Sequence, residues 1–304
     1  MGVDLASSTE KHLCDHLTEL DCQITLISPG GLDSQNFHHI PIRDWRIPGL
    51  TTISGARKAC RIIEKTGIDD YDIVLIDWRY VKSMIRTISR FKIPWAIVDR
   101  GPPAKLGFFN RLQKWYWAEA WNFADTSSVG GMVVSTKHRD FVRGLTSYNK
   151  QLFVVPAGSN NNPYLEHKKK PQDLIKLVYI GRVDRRRGVS EIINLSEKLG
   201  RKGLKFEINI CGSGDFENEI REASDSNLGL IFHGEVSHDE VLKIMGECHL
   251  GIMPMPDIPV WRISSTLKLA EYLASGLGII GIDHSGNRIP DMGECNMLSK
   301  GDWV

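Results

Sequence analysis

The chain has 304 residues, enough for two compact domains of about 150 each. Its 41% hydrophobic and 25% charged residues are ordinary for a globular protein, and a formal net charge of +1 leaves no global field that would demand nucleic acid as a partner. No apolar run reaches the ~18 residues of a membrane span, and Met1-Gly2-Val3-Asp4 has none of the features of a signal peptide, so a cytoplasmic location is expected.

Short apolar runs alternate with helical stretches, the pattern of parallel sheets wrapped by helices. The first half offers strands at 23–28, 38–42, 73–78, 95–99, 132–135 and 152–155, with helical periodicity at 9–18, 55–64 and 83–90. A stretch at 160–173 then stacks Asn160-Asn161-Asn162-Pro163 and His167-Lys168-Lys169-Lys170-Pro171 without apolar periodicity, which reads as a linker. Its lysine run is short and lacks aromatic neighbours, which favours a solvated linker over a nucleic-acid patch. The second half offers strands at 175–180, 206–211, 230–233, 250–255, 278–282 and 296–299, with helices at 190–200, 239–246 and 266–274. The expected organisation is a domain over 1–160, a linker over 161–173 and a second domain over 174–304. A doubly wound domain normally opens with a central strand, for which there is no room before 9–18, and the chain stops just after a strand; shortening at both ends is expected.

Cysteines stand at 14, 22, 60, 211, 248 and 295, with no CxxC pair and no histidine at zinc-site spacing. They read as reduced thiols, and neither a metal nor a redox cofactor is expected.

Three constellations in the second half point to an anionic ligand. Val178-Tyr179-Ile180-Gly181-Arg182 runs a buried strand into a glycine turn, and Val183-Asp184-Arg185-Arg186-Arg187-Gly188 follows. Ligands of open α/β sheets bind beyond the carboxyl ends of strands, where guanidinium forks suit a diphosphate. Arg182 and Arg187 are the candidates; Arg185 and Arg186 read as a solvated turn. Ile210-Cys211-Gly212-Ser213-Gly214-Asp215 repeats the strand and turn, and Gly212 and Gly214 either admit a ligand to the backbone or merely permit the turn. No third glycine completes a dinucleotide fingerprint. Ser264-Ser265-Thr266-Leu267-Lys268 opens a helix whose N-terminus is an anion site, made by Ser265, Thr266 and Leu267. Glu271, over one turn further in, suits the two hydroxyls of a ribose, or else pairs with Lys268 at i−3 on the surface.

Arg182, Arg187-Gly188, the turn at Gly212 to Gly214, Phe232-His233-Gly234-Glu235-Val236 and Lys268-Leu269-Ala270-Glu271-Tyr272-Leu273-Ala274-Ser275-Gly276 together resemble glycosyltransferase family 4. The resemblance covers about 175–303 well and the first half loosely, through Val154-Val155-Pro156-Ala157-Gly158. It implies an α/β architecture of the GT-B type, two Rossmann-like doubly wound domains facing across a cleft, with the acceptor taken by the first and the donor by the second. It implies transfer of sugar with retention from a nucleotide diphosphate sugar to a hydroxyl, without a required metal. Arg182 and Arg187 would grip the diphosphate, and Glu271 would match the second of the family's paired glutamates, the one on ribose. The first of that pair is replaced by Ile263, and Thr266 replaces a proline. An alternative is a catalytically inactive relative that binds nucleotide sugar or serves as a partner subunit.

Asp99, before Arg100-Gly101-Pro102-Pro103, either contacts the acceptor or reacting sugar as a catalytic group or caps a turn. Residues 103–123 place Trp115, Trp117 and Trp121 among Lys105, Arg111 and Lys114. Such a helix suits contact with an anionic membrane at its inner face, which would agree with a lipid-linked acceptor; the competing reading buries the aromatics on the sheet.

Overall fold

The structure, a computed structural model, describes residues 5–30, 35–42, 51–68, 70–103, 108–165, 174–226, 228–288 and 296–298. The chain divides into two compact units, Met1–Pro156 and Ala157–Val304.

The first unit contains helices α1 (Leu5–Glu19), α2 (Thr51–Thr66), α3 (Trp78–Ile88), α4 (Phe108–Ser127) and α5 (Thr136–Leu145). Strands β1 (Thr25–Pro29) and β2 (His38–Ile42) form a parallel pair. Strands β3 (Val74–Asp77), β4 (Trp95–Asp99), β5 (Gly130–Val133) and β6 (Leu152–Val154) form a parallel sheet in that order. Within each of these two sheets the strands lie in chain order. Strand β3 stops one residue short of its expected end because Asp77 accepts the Arg79 N–H at 2.8 Å and so starts α3 at Trp78. Helix α4 buries Trp117, Ala120, Trp121 and Ala124, one stripe at i, i+3, i+4 and i+7. Gly131 makes room for it: a Cβ there would stand 2.8 Å from the Trp121 ring and 3.0 Å from Ile97.

The second unit is a six-stranded parallel sheet in the order β12-β11-β10-β7-β8-β9. Its strands are β7 (Ile175–Ile180), β8 (Phe206–Cys211), β9 (Leu230–Gly234), β10 (Leu250–Met253), β11 (Gly278–Ile282) and β12 (Asn296–Leu298). Its helices are α6 (Ser190–Arg201), α7 (Glu217–Asp225), α8 (His238–Glu247), α9 (Pro259–Arg262) and α10 (Leu267–Ala274). Alternate residues of β7 serve two cores, because successive strand side chains point to opposite faces. Leu177 and Tyr179 join Ile192 of α6 and Ile220 of α7; Val178 and Ile180 join Met245 of α8 and Leu269 of α10.

The stretch expected as a linker begins inside this unit. Asn162 is buried, and its side-chain amide donates to the Leu242 carbonyl at 2.8 Å and to Ser275 Oγ at 3.0 Å. An amide that donates twice here and also accepts the Tyr164 N–H at 2.8 Å staples the incoming chain where hydrophobicity alone would not reveal it. Residues 166–173, with the lysine run, lie outside the described residues, as do 1–4, 104–107 and 299–304.

Candidate functional site

The order of the second sheet reverses between β7 and β10, the place where open α/β sheets bind ligands. These two strands pair only at Leu177 with Leu250 and Val178 with Gly251. Tyr272 of α10 fills the split: its hydroxyl accepts the Ile180 N–H at 3.1 Å and donates to the Ile252 carbonyl at 3.3 Å. The buried phenol therefore satisfies backbone groups that the parting strands leave open.

The turns after β7 and β8 lie backbone against backbone. Gly181 donates its N–H to the Cys211 carbonyl at 2.9 Å, and Val183 donates to that of Ser213 at 3.0 Å. Gly212 has φ 137°, and a side chain on it would run into the Gly181 carbonyl oxygen. Both the dihedral and the close approach demand glycine. Gly214 stands likewise against the Val183 carbonyl.

The arginines after Gly181 differ in exposure and in partners. Arg182, the favoured diphosphate ligand, donates Nε and Nη2 to the Asp184 carboxylate at 2.9 and 3.2 Å, and its side chain is 55% exposed. That fork holds the Asp184 carboxyl below its ordinary value. Arg185 pairs with Glu219 and lies over the Phe216 ring. Arg187 is more enclosed, with its side chain 23% exposed and its guanidinium 5.4 Å from the centroid of Trp261. The Trp261 indole N–H, in turn, donates to the Arg186 carbonyl at 3.3 Å, so α9 is tied to this turn.

Helix α10 starts beside it. Thr266 is the N-cap residue but makes no side-chain cap, and its Oγ1 is buried without a hydrogen-bond partner among the described residues. Ser265 Oγ accepts the Ala157 N–H at 2.9 Å, and Leu267 is the first helical residue. Lys268 and Glu271 are both buried, against the surface pair that their spacing allowed. Burial pushes the Glu271 carboxyl up to about 7, with Lys268 working in the opposite sense. Lys268 places Nζ 4.0 Å from the Tyr179 ring centroid and 3.7 Å from where a Gly181 Cβ would stand. Burial, then Arg187, hold its amine well below the ordinary lysine value, while Glu271 opposes them. Gly181, Arg187, Lys268 and Glu271 thus share one locality. Sequence reading missed Lys268, Trp261 and Tyr272 as parts of it.

Asp99, in the first unit, is wholly buried. Its Oδ2 accepts the indole N–H groups of Trp117 at 2.6 Å and Trp121 at 3.2 Å, and Oδ1 accepts the Gly101 N–H at 3.0 Å. His138 Nε2 lies 3.3 Å from Oδ2. Burial would raise this carboxyl, but His138 and the hydrogen bonds outweigh it and hold it low. The turn-capping alternative describes Asp99 as it stands; an enclosed carboxylate with these partners cannot meet an acceptor without dismantling them. On α4, Trp115 is 53% and Leu112 56% exposed, while Trp117 and Trp121 are buried, so the helix divides between the two readings offered for it. Lys82 Nζ sits 3.4 Å from the Trp115 ring centroid.

Residues 175–302 match the family model of Glycosyl transferases group 1. No curated protein matches by sequence. Among solved structures, the sucrose-phosphate synthase of Thermosynechococcus elongatus is similar over 91% of this chain and 75% of its own, at 14% identity and a TM-score of 0.66. AviGT4, a glycosyltransferase involved in avilamycin A biosynthesis, is similar over 97% of this chain and 78% of its own, at 15% identity and a TM-score of 0.63. The pneumococcal O-GlcNAc transferase GtfA, solved with UDP and GlcNAc, is similar over 77% of this chain, which spans only 46% of it, at 13% identity and a TM-score of 0.57. The chain has the GT-B fold of these neighbours, and residues 175–302 are similar to the glycosyl transferases of group 1.

Proposed function

We propose that this protein transfers a sugar, with retention of configuration, from a nucleotide diphosphate sugar to the hydroxyl of a sugar or lipid-linked acceptor. The observation that carries the donor half is the grouping of two enclosed basic side chains, Arg187 and Lys268, with the Gly181 turn and the start of α10 at the point of strand reversal. Cations and open N–H groups focused on one place in a poorly solvated crevice suit a diphosphate, and they stabilise the charge that builds on it as it leaves. Glu271 supplies the acceptor for ribose hydroxyls. Gly212 and Gly214 keep the neighbouring turn low enough for backbone to approach the donor. Ser265 fixes the start of the helix through the Ala157 N–H, and the Thr266 hydroxyl, unpartnered among the described residues, faces the donor with Leu267. Arg182 contributes long-range charge, since its fork is held by Asp184. No metal is required in this scheme. The UDP and GlcNAc of the GtfA structure are the kind of ligand it expects.

On the first unit, Leu112 and Trp115 beside Lys82, Arg111 and Lys114 favour peripheral contact with the inner face of an anionic membrane. Among the described residues no helix is long and apolar enough to cross one. Sedimentation with anionic and neutral vesicles at low and high salt tests this; absence of pelleting with anionic vesicles at low salt removes the membrane.

A panel of nucleotide sugars, assayed for nucleotide release with and without added acceptor, tests the transfer. Thermal shifts with the matching nucleoside diphosphates report binding separately, since a ligand of the native state raises its stability. Ile263, where the resemblance expects a first glutamate, favours the second reading, a nucleotide-sugar-binding partner subunit. Binding without turnover across the panel selects that reading.

A further inference from the structure

This inference deepens the donor-binding reading and rests on it. Lys268 is 7% exposed, and its Nζ has no hydrogen-bond partner among the described residues. A lysine amine can donate up to three hydrogen bonds, and a buried polar group without one is costly. Packing alone does not need the amine, because methionine fills a similar volume without a polar tip. Two positions earlier Thr266 Oγ1 is buried and equally unpartnered. Both orphans stand at the start of α10, where the first N–H groups have no partner within the helix. Nζ points at the backbone of Gly181, whose missing side chain leaves that approach open. An amine, a hydroxyl and helical N–H groups around one glycine turn match the oxygens of a phosphate.

We propose that Lys268 is an inner ligand of the donor's diphosphate, left unpaired by the fold and completed as an ammonium only when phosphate oxygens reach it, so that donor binding takes up a proton at Nζ. The titratable and charged groups that face the amine are Tyr179 from β7, Arg187 from the turn after it and Glu271 from α10. Burial and Arg187 favour the neutral amine, Glu271 the ammonium, and an arriving dianion adds to the side of Glu271. The proton comes from solvent and binds the nitrogen lone pair. Glu271 is not its source above about pH 7, where its carboxyl has already ionised.

The test is calorimetric titration at about pH 8.5 with uridine, adenosine, guanosine, cytidine and thymidine diphosphates, in two buffers of different ionisation enthalpy. For whichever nucleotide binds, the wild type takes up a measurable fraction of one proton. Lys268→Met takes up none and binds at least ~10-fold more weakly, the loss of one charge-assisted contact. Lys268→Arg, permanently charged, binds without uptake. The ligand-free Lys268→Met protein melts no lower than the wild type, whereas a structural amine would make it melt lower or fail to fold; either of those results overturns the proposal. Equal uptake or equal affinity in wild type and Lys268→Met also overturns it and leaves the donor site standing. Binding of no nucleoside diphosphate removes the donor site and the proposal together.

Discussion

Each unit of this protein buries an ionisable side chain, and the two burials are opposite in kind. Asp99 in the first unit is met by two indoles, a backbone N–H and an imidazole. Lys268 in the second faces an aromatic ring, a guanidinium and a carboxyl, and its amine has no hydrogen-bond partner among the described residues. A buried charge whose bonds are complete belongs to the framework, because the fold itself supplies the compensation. One whose bonds are missing points outside the chain for them. The comparison separates a residue that looked catalytic from one that looked like a surface lysine.

Substitution of Asp99 gives the largest expected effect on stability. Asp99→Ala leaves the two buried indole donors of Trp117 and Trp121 without their acceptor, a loss of about 2–6 kcal/mol at ~1–3 kcal/mol for each unsatisfied buried group. Denaturant unfolding followed by tryptophan fluorescence checks it, and a cost below about 1 kcal/mol would place Asp99 outside the framework. Arg187→Ala comes next and acts on function: donor use falls ~100-fold, about 2.7 kcal/mol, through weaker stabilisation of the leaving phosphate. Arg182→Ala is expected to cost less, because its fork already holds Asp184. Initial rates at subsaturating donor decide the order of the two.

The carboxyls carry opposite pH signatures. Asp99 is held low in the folded chain, so its contribution is present at neutral pH and is lost as pH falls through the folded value. Glu271 is raised from 4.5 to about 7. Below about 4.5 it is protonated whether folded or unfolded; between there and about 7 only the unfolded chain has ionised, so stability falls as pH rises through that window. Glu271→Gln removes that slope and stabilises the ligand-free protein at pH 8 by roughly 1–3 kcal/mol, while raising the donor dissociation constant more than it slows chemistry. Melting curves from pH 4 to 8 and a kcat against KM comparison measure both. The smallest effect belongs to Trp115→Ala, about 0.5–1 kcal/mol from the exposed cation–π contact with Lys82. Its larger consequence would be lost vesicle binding.

Much of the second unit was legible because buried parallel strands read as unbroken apolar runs: 175–180, 206–211 and 278–282 end where the sequence placed them. Helices α5 and α7 were not recognised. The first buries only His138 and Val142, the second only Ile220 and Ala223, too little apolar surface to make a periodic signal. Asp99 was readable in principle from Trp117 and Trp121, an i, i+4 pair of indoles whose N–H groups each need an acceptor once buried. The clue to Lys268 was α10 itself. Leu267, Leu269, Ala270, Tyr272, Leu273 and Ala274 leave the helix almost no polar face, so a lysine among them has little surface to occupy. The spacing to Glu271 suggested a surface pair and hid this. The staple at Asn162 left no trace, because it depends on two partners distant in sequence.

The strand order of the second unit also has a bearing on synthesis. Translation delivers β7 first, and β8 and β9 then add to one side of it. The opposite edge of β7 stays unpaired until β10 emerges some seventy residues later in the chain, carrying Leu250 and Gly251 to meet Leu177 and Val178. At about 5–20 residues per second this leaves a bare hydrophobic edge on the ribosome for roughly 4–14 seconds. Such an edge pairs readily with other strands. A nascent chain halted between β9 and β10 therefore exposes that edge of β7, which is covered when β10 docks.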